Sequence, residues 1–144
     1  MVNNPKQKAD PEEVAQYLAA MCYAKRSKVD PFFFESVLAG VKNGHKSLTY
    51  VDLYGNKFTD KYIATGFARI IAPTIIDSSY HEDISAVDAK ALITQAFQAI
   101  YARFKLTVRS LTLALVTEDQ IFEDKIDLHI RFDYDGYKNK EDLF

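Results

Sequence analysis

The side chains best suited to chemistry in this sequence are His45, His81 and His129, the run Asp133-Tyr134-Asp135-Gly136, and the single cysteine, Cys22. The histidines are scattered and no pair has the spacing of a zinc ligand set. The aspartate run resembles the opening of a calcium loop, but Phe144 stands where the closing bidentate glutamate belongs, so it reads as a turn. Asp127, His129 and Asp133 share one face of an alternating segment and could bind a divalent cation, although the same pattern describes a solvated strand face, which is the reading adopted. Asp88 is better placed as a charge at a helix start than as a catalytic acid, and Tyr50 and Tyr54 as packing side chains than as a ligand box. The sequence contains no G-x-S-x-G, no phosphate-binding loop, no G-x-G-x-x-G and no paired cysteines. By motif alone, the chain has no catalytic residue, no cofactor and no metal site.

Composition narrows the class. The 144 residues suit one domain with a genuine core, and 48% hydrophobic with 26% charged residues describes a soluble globular chain. A net charge of −2 gives no support for a nucleic-acid partner or a polybasic membrane contact. A lone cysteine cannot close an internal disulfide, which favours a reducing compartment. No apolar leader or membrane-length apolar run is present, so cytoplasm and nucleus are the expected locations.

The elements follow from periodicity and punctuation. Residues 1–9 read as a disordered lead, 10–135 as one domain and 136–144 as a mobile tail. Asp10 is a good helix N-cap, with Pro11 at the first helical position and Glu13 three residues past the cap. Val14, Tyr17, Leu18, Met21 and Cys22 then mark one helix face, expected to be the buried one. Lys25, Arg26 and Lys28 close the helix where positive charge complements its dipole, and Asp30-Pro31 ends it. Residues 32–41 and 46–54 read as strands joined by a turn at Asn43-Gly44. The second strand has apolar residues on both faces, which predicts a sheet covered on two sides. Short strands are expected at 57–59 and 62–65, and a helix over 68–79 that Pro73 should kink or split. Ser85 with Asp88 resembles a capping box for a long helix over 86–104, whose buried stripe should be Ala89, Leu92, Ile93, Ala96, Phe97, Ile100 and Phe104. A strand over 109–117 should place Leu111, Leu113 and Leu115 on one face, with small residues on the other leaving room for another layer. A last alternating strand is expected from Ile126 to Tyr134. This order argues for an α+β layered fold, not a doubly wound sheet.

Six short motifs, in one order, resemble the C-terminal part of eukaryotic 20S proteasome β subunits, most of all the non-catalytic type-four members. Tyr23, Lys25, Arg26, Ser27, Lys28, Asp30 and Pro31 match the family's helix end, Tyr-x-Arg-Arg-Ser-Lys-x-Asn-Pro. Tyr50-Val51-Asp52-Leu53-Tyr54-Gly55 matches Tyr-Val-Asp-x-x-Gly, and Ala64-Thr65-Gly66-Phe67-Ala68 matches the Ala-Thr-Gly-Tyr-Gly turn. The helix with Pro73, the helix end Ile100-Tyr101-Ala102-Arg103-Phe104 and the strand Ala114-Leu115-Val116-Thr117-Glu118 follow. Each motif is weak alone; their order is specific.

The resemblance implies an αββα sandwich of the N-terminal nucleophile hydrolase type, here partial, because the chain starts at the equivalent of the family's second long helix. A truncated gene model is the expected reason, ahead of a fragment or a short subunit completed by another chain, and the first strands and helix would be missing. In active members an N-terminal threonine is nucleophile and its own amine the base, supported by groups in the missing half. A further aspartate and serine of active members correspond to Phe104 and Thr107, and the glycine-serine-glycine turn to Gly66-Phe67-Ala68. The resemblance therefore implies a non-catalytic subunit whose partners are other 20S α and β subunits. Its candidate contact residues are Lys25, Arg26, Lys28, Arg103, Lys105, Arg109, His129 and Arg131. The alternatives are a threonine peptidase lacking its catalytic half and a free-standing α+β binding module.

Overall fold

In the computed structural model, the described residues are 9–105 and 110–128. The expected lead (save Ala9), most of the alternating tail, Thr107, Arg109, His129 and Arg131, and the aspartate run lie outside them. The elements run α1 (Pro11–Lys25), β1 (Glu35–Lys42), β2 (His45–Asp52), β3 (Lys57–Thr59), α2 (Ala68–Ser79), α3 (Ala86–Phe104), β4 (Ser110–Val116) and β5 (Ile121–Asp127). This is the mixed helix and antiparallel sheet expected. The chain divides into two compact units, one of Met1–Gly66 with Ala114–Phe122 and the other of Phe67–Leu113 with Glu123–Phe144.

In the first unit, α1 starts where the sequence places it: the Asp10 carboxylate accepts the Glu12 N–H at 3.0 Å. The β1–β2 hairpin pairs Glu35 with Asp52 through to Lys42 with His45, and closes on Asn43-Gly44. Both turn residues have positive φ, 51° and 75°, the signature of a type I′ turn whose twist suits a hairpin. β3 adds to β2 through Thr49–Thr59, Tyr50–Phe58 and Val51–Lys57, giving the order β1-β2-β3. Among the described residues, β1 therefore has an unpaired outer edge. No strand forms over 62–65, contrary to expectation; the segment runs as irregular backbone into Gly66, whose φ is positive.

The core of this unit corrects the reading of α1. Ala15, Ala19 and Cys22 are buried, together with Val51, and Leu18, Phe32, Phe34 and Leu38 pack around them. Val14, Tyr17 and Met21 are exposed. The buried face is turned away from the large apolar side chains because the helix lies so close to the sheet that only small residues fit between them. A Cβ at Gly40 would overlap the Pro11 ring. One at Gly55 would lie 2.6 Å from the Ala19 carbonyl oxygen and 2.8 Å from the Tyr23 Cβ. The strand is covered as expected at Thr49, Tyr50 and Val51, but Tyr54 lies beyond it and is exposed.

In the second unit, α2 runs through Pro73 without being split. Ser85 caps α3 as expected, its hydroxyl accepting the Asp88 N–H at 3.1 Å and donating to the Asp88 carboxylate at 2.7 Å. Leu92, Ala96, Ile100 and Tyr101 are buried along α3, whereas Ile93, expected inside, is exposed. The α3 side chain Lys90 also pairs with Asp124 of β5.

β4 and β5 form a two-stranded sheet joined at Thr117–Gln120, where Thr117 N–H donates to the Gln120 carbonyl at 3.0 Å. Leu111 is buried and Leu113 half-buried, but Leu115, Thr112 and Ala114 are exposed. β5 was not legible: only its last two residues, Ile126 and Asp127, fall in the alternating segment. Polar Glu123, Asp124 and Lys125 hide the rest from a hydrophobic pattern.

Candidate subunit interface

The expected basic contact residues fall into two groups. Lys25, Arg26 and Lys28 end α1 in the first unit, all exposed. Two of them are already engaged: the Lys25 ammonium sits 5.4 Å from the Phe32 ring centroid, and the Arg26 guanidinium 4.3 Å from that of Tyr23. Such cation–aromatic contacts hold the cations near the surface without removing them from water. Lys28 closes the turn with its N–H on the Lys25 carbonyl at 3.0 Å. Arg103 and Lys105 end α3 in the second unit; Lys105 is the C-cap, with φ 51° and its N–H on the Tyr101 carbonyl.

Apolar exposure, which the sequence reading missed, surrounds the first group. Val14, Tyr17 and Met21 form a stripe along the outer face of α1, Tyr23 is exposed in its last turn, and Val29 and Phe33 stand out beyond its end. Beside the stripe, an open groove of about 570 Å³ is lined by Asp10, Glu12, Glu13, Gln16, Tyr17, Ala20 and Lys57. Large exposed apolar side chains rimmed by charge are the composition of a protein contact. The signal available in the sequence was the Ala15, Ala19 pair: two small residues four apart mark a close-packed face, which leaves the larger ones outside.

The motif residues have specific jobs. The Asp52 carboxylate accepts the N–H groups of Tyr54 and Asn56, both at 2.9 Å, and the Asn56 carboxamide at 2.8 Å. Burial pushes this carboxyl up, but the Asn56 side chain and the backbone N–H groups outweigh it and hold the group below the usual carboxylate range. Gly55, at φ 82°, lets the loop pass under α1. Tyr50 donates to Glu35 at 2.9 Å and packs on Phe58, with ring centroids 4.9 Å apart. The Glu118 carboxylate caps the hairpin turn, accepting the Asn43 N–H at 2.9 Å and the Gly44 N–H at 3.3 Å. Cys22 is fully buried, and burial pushes its thiol up.

In the second unit, Phe67 at the start of α2 and Phe104 at the end of α3 bring their rings together, with centroids 4.7 Å apart. Neither ring can accept a proton or hydrogen-bond an amine. Among the described residues, no group of histidine, cysteine, aspartate and glutamate could hold a metal ion, and no helix is long and apolar enough to cross a membrane.

Comparison with known proteins gives these features a family. The family model described as proteasome subunit matches residues 4–116. Proteasome subunit beta type-4 of Arabidopsis thaliana is 32% identical over 111 residues, covering 77% of this chain and 45% of that protein. The Drosophila melanogaster subunit of the same name is 31% identical over 108 residues, covering 73% and 40%. Proteasome subunit beta 2 of Pyrobaculum calidifontis is 29% identical over 125 residues, covering 87% and 61%. The chain thus spans less than half the length of the type-4 relatives it matches. A match over most of its residues, with motifs that each have a place in the structure, makes this chain a member of the proteasome subunit family.

Proposed function

We propose that the chain is a non-catalytic, structural β-ring subunit of the 20S proteasome core particle, supporting its assembly and hence ubiquitin-dependent protein degradation. The observation that carries this reading is the Phe67–Phe104 ring contact. By the motif resemblance, the two positions correspond to the serine-bearing turn and the aspartate of active members. An apolar pair there leaves nothing to hydrogen-bond a nucleophile's amine or to orient a proton. The type-4 names of two relatives agree with this reading.

The work of such a subunit is contact. Its partners are the other α and β subunits of the particle, in cytoplasm and nucleus, and it takes neither nucleic acid nor membrane. The surfaces proposed are the α1 end with Lys25, Arg26 and Lys28, the α3 end with Arg103 and Lys105, and Arg109, His129 and Arg131. The exposed α1 stripe of Val14, Tyr17 and Met21 joins them, because an apolar patch inside a charged rim supplies the energy that rim charges do not. The sheets belong, in this reading, to a partial αββα sandwich, with the free β1 edge at one of its margins.

The test is the native size of the endogenous protein. Antibody detection after native separation should find the chain only in a particle of several hundred kilodaltons, together with other proteasome subunits. A stable monomer in cells contradicts the proposal. A threonine peptidase whose catalytic half lies outside this sequence is the alternative, distinguished by covalent labelling with a threonine-reactive inhibitor.

A further inference from the structure

We propose that Asn43-Gly44 is a self-modification site, converting slowly to aspartate or isoaspartate at position 43, and that the Glu118 carboxylate gates the reaction. The chemistry is intramolecular. The Gly44 backbone nitrogen attacks the Asn43 side-chain carbonyl carbon, forming a C–N bond as the carboxamide C–N bond breaks. The Gly44 amide proton is lost to solvent, the departing nitrogen takes up a proton, and ammonia leaves. Water then opens the cyclic imide at either carbonyl, leaving a carboxylate on residue 43.

The site is built for access. This is the one Asn-Gly pair in the sequence. Both residues are exposed, and a Cβ built on Gly44 would meet nothing within 4 Å, so the carboxamide has room to swing over the following nitrogen. No hydrogen bond holds the Asn43 carboxamide among the described residues. Asn56 is the counterexample within the same unit: its carboxamide is tied to Asp52 at 2.8 Å and a lysine follows it.

The gate is equally specific. Glu118 accepts the Gly44 N–H, the proton that must be lost before ring closure, and the Asn43 N–H, which fixes the turn. A carboxylate beside that N–H opposes the nitrogen anion needed for attack. Ring closure also requires the turn to leave its type I′ geometry, and so to break both bonds. Conversion places a second negative charge beside Glu118 and expels it from the turn. The modification thus runs once per chain, releases Glu118 from the turn and loosens the hairpin.

The experiment follows conversion at position 43 by peptide mapping, with methyltransferase labelling of isoaspartate. It uses the full chain in the state isolated from cells, at neutral and mildly alkaline pH. Glu118→Ala and Glu118→Gln are compared with the unsubstituted chain and with a free peptide spanning residues 40–48. Giving up a hydrogen bond to a charged acceptor corresponds to about a tenfold change in rate. Conversion should therefore be about tenfold faster in Glu118→Ala than in the unsubstituted chain, and close to the peptide rate. Glu118→Gln keeps side-chain length and reports on charge alone; it should fall between them. Amide exchange in β2 shows whether each variant is folded, and the Gln variant decides if the Ala variant is not. Equal rates in the unsubstituted chain and a folded variant, or no conversion at Asn43 in either, overturn the proposal.

Discussion

The α1–hairpin layer and the α2–α3 pair differ in how closely their backbones approach. In the first, Ala15, Cys22 and Val51 have no exposed surface at all, and α1 approaches the sheet over Gly40 and Gly55. In the second, the larger Leu92, Ile100 and Tyr101 share the interior with Ala72 and Ala96, and none of the five is completely covered. Close approach of backbones tolerates no added atom. Packing of long side chains tolerates repacking. The first region should therefore fail on enlargement and the second on truncation.

Native-state amide exchange tests that contrast region by region. The largest effect is expected at Gly55. Gly55→Ala adds a Cβ against the Ala19 backbone and forces an alanine to φ 82°, so strain and overpacking together cost about 2–6 kcal/mol of α1 protection. Gly44→Ala has similar φ in open space and should cost only about 1–2 kcal/mol, which separates clash from strain. Ile100→Ala should lower α3 protection by about 2–4 kcal/mol. A loss below about 1 kcal/mol would show that the Ile100 side chain is not part of a packed interior.

Asp52→Asn comes next, at about 1–2 kcal/mol, since the loop loses a charged acceptor for three N–H groups. Its pH dependence has a definite sign. The folded carboxyl titrates below its unfolded value. The stabilisation is complete above the ordinary carboxylate range and is lost as pH falls through the depressed folded value. Amide protection of Tyr54 and Asn56 should decline there in the parent chain and be flat in Asp52→Asn. The smallest effect is expected at Tyr17→Ser, within about 0.5 kcal/mol on stability because Tyr17 is 68% exposed. Under the proposed function, the same substitution should weaken incorporation into particles.

This contrast also explains what could be read from the sequence. α3 was legible because its contacts are made by large apolar residues at helical spacing, and Ser85-Asp88 announces its start. The Asn43-Gly44 hairpin and the Asp10-Pro11 helix start were legible because their backbone geometry demands particular residues. The buried face of α1 was not, because Ala15 and Ala19 contribute by being small, which hydrophobic periodicity does not weigh. β5 escaped because Glu123, Asp124 and Lys125 are exposed there, and Asp124 is bound to Lys90 instead of a core. Of the candidate contact residues, Lys25, Arg26, Lys28, Arg103 and Lys105 are proposed from their place at helix ends. Their apolar companions Val14, Tyr17 and Met21 were assigned to the interior.

The most direct test of the proposed structural, non-catalytic role is covalent labelling of the native particle in which this chain is proposed to sit. A threonine-reactive electrophile should modify other β subunits in that particle and leave this polypeptide at its unmodified mass. An adduct on an N-terminal threonine of this polypeptide would contradict the account.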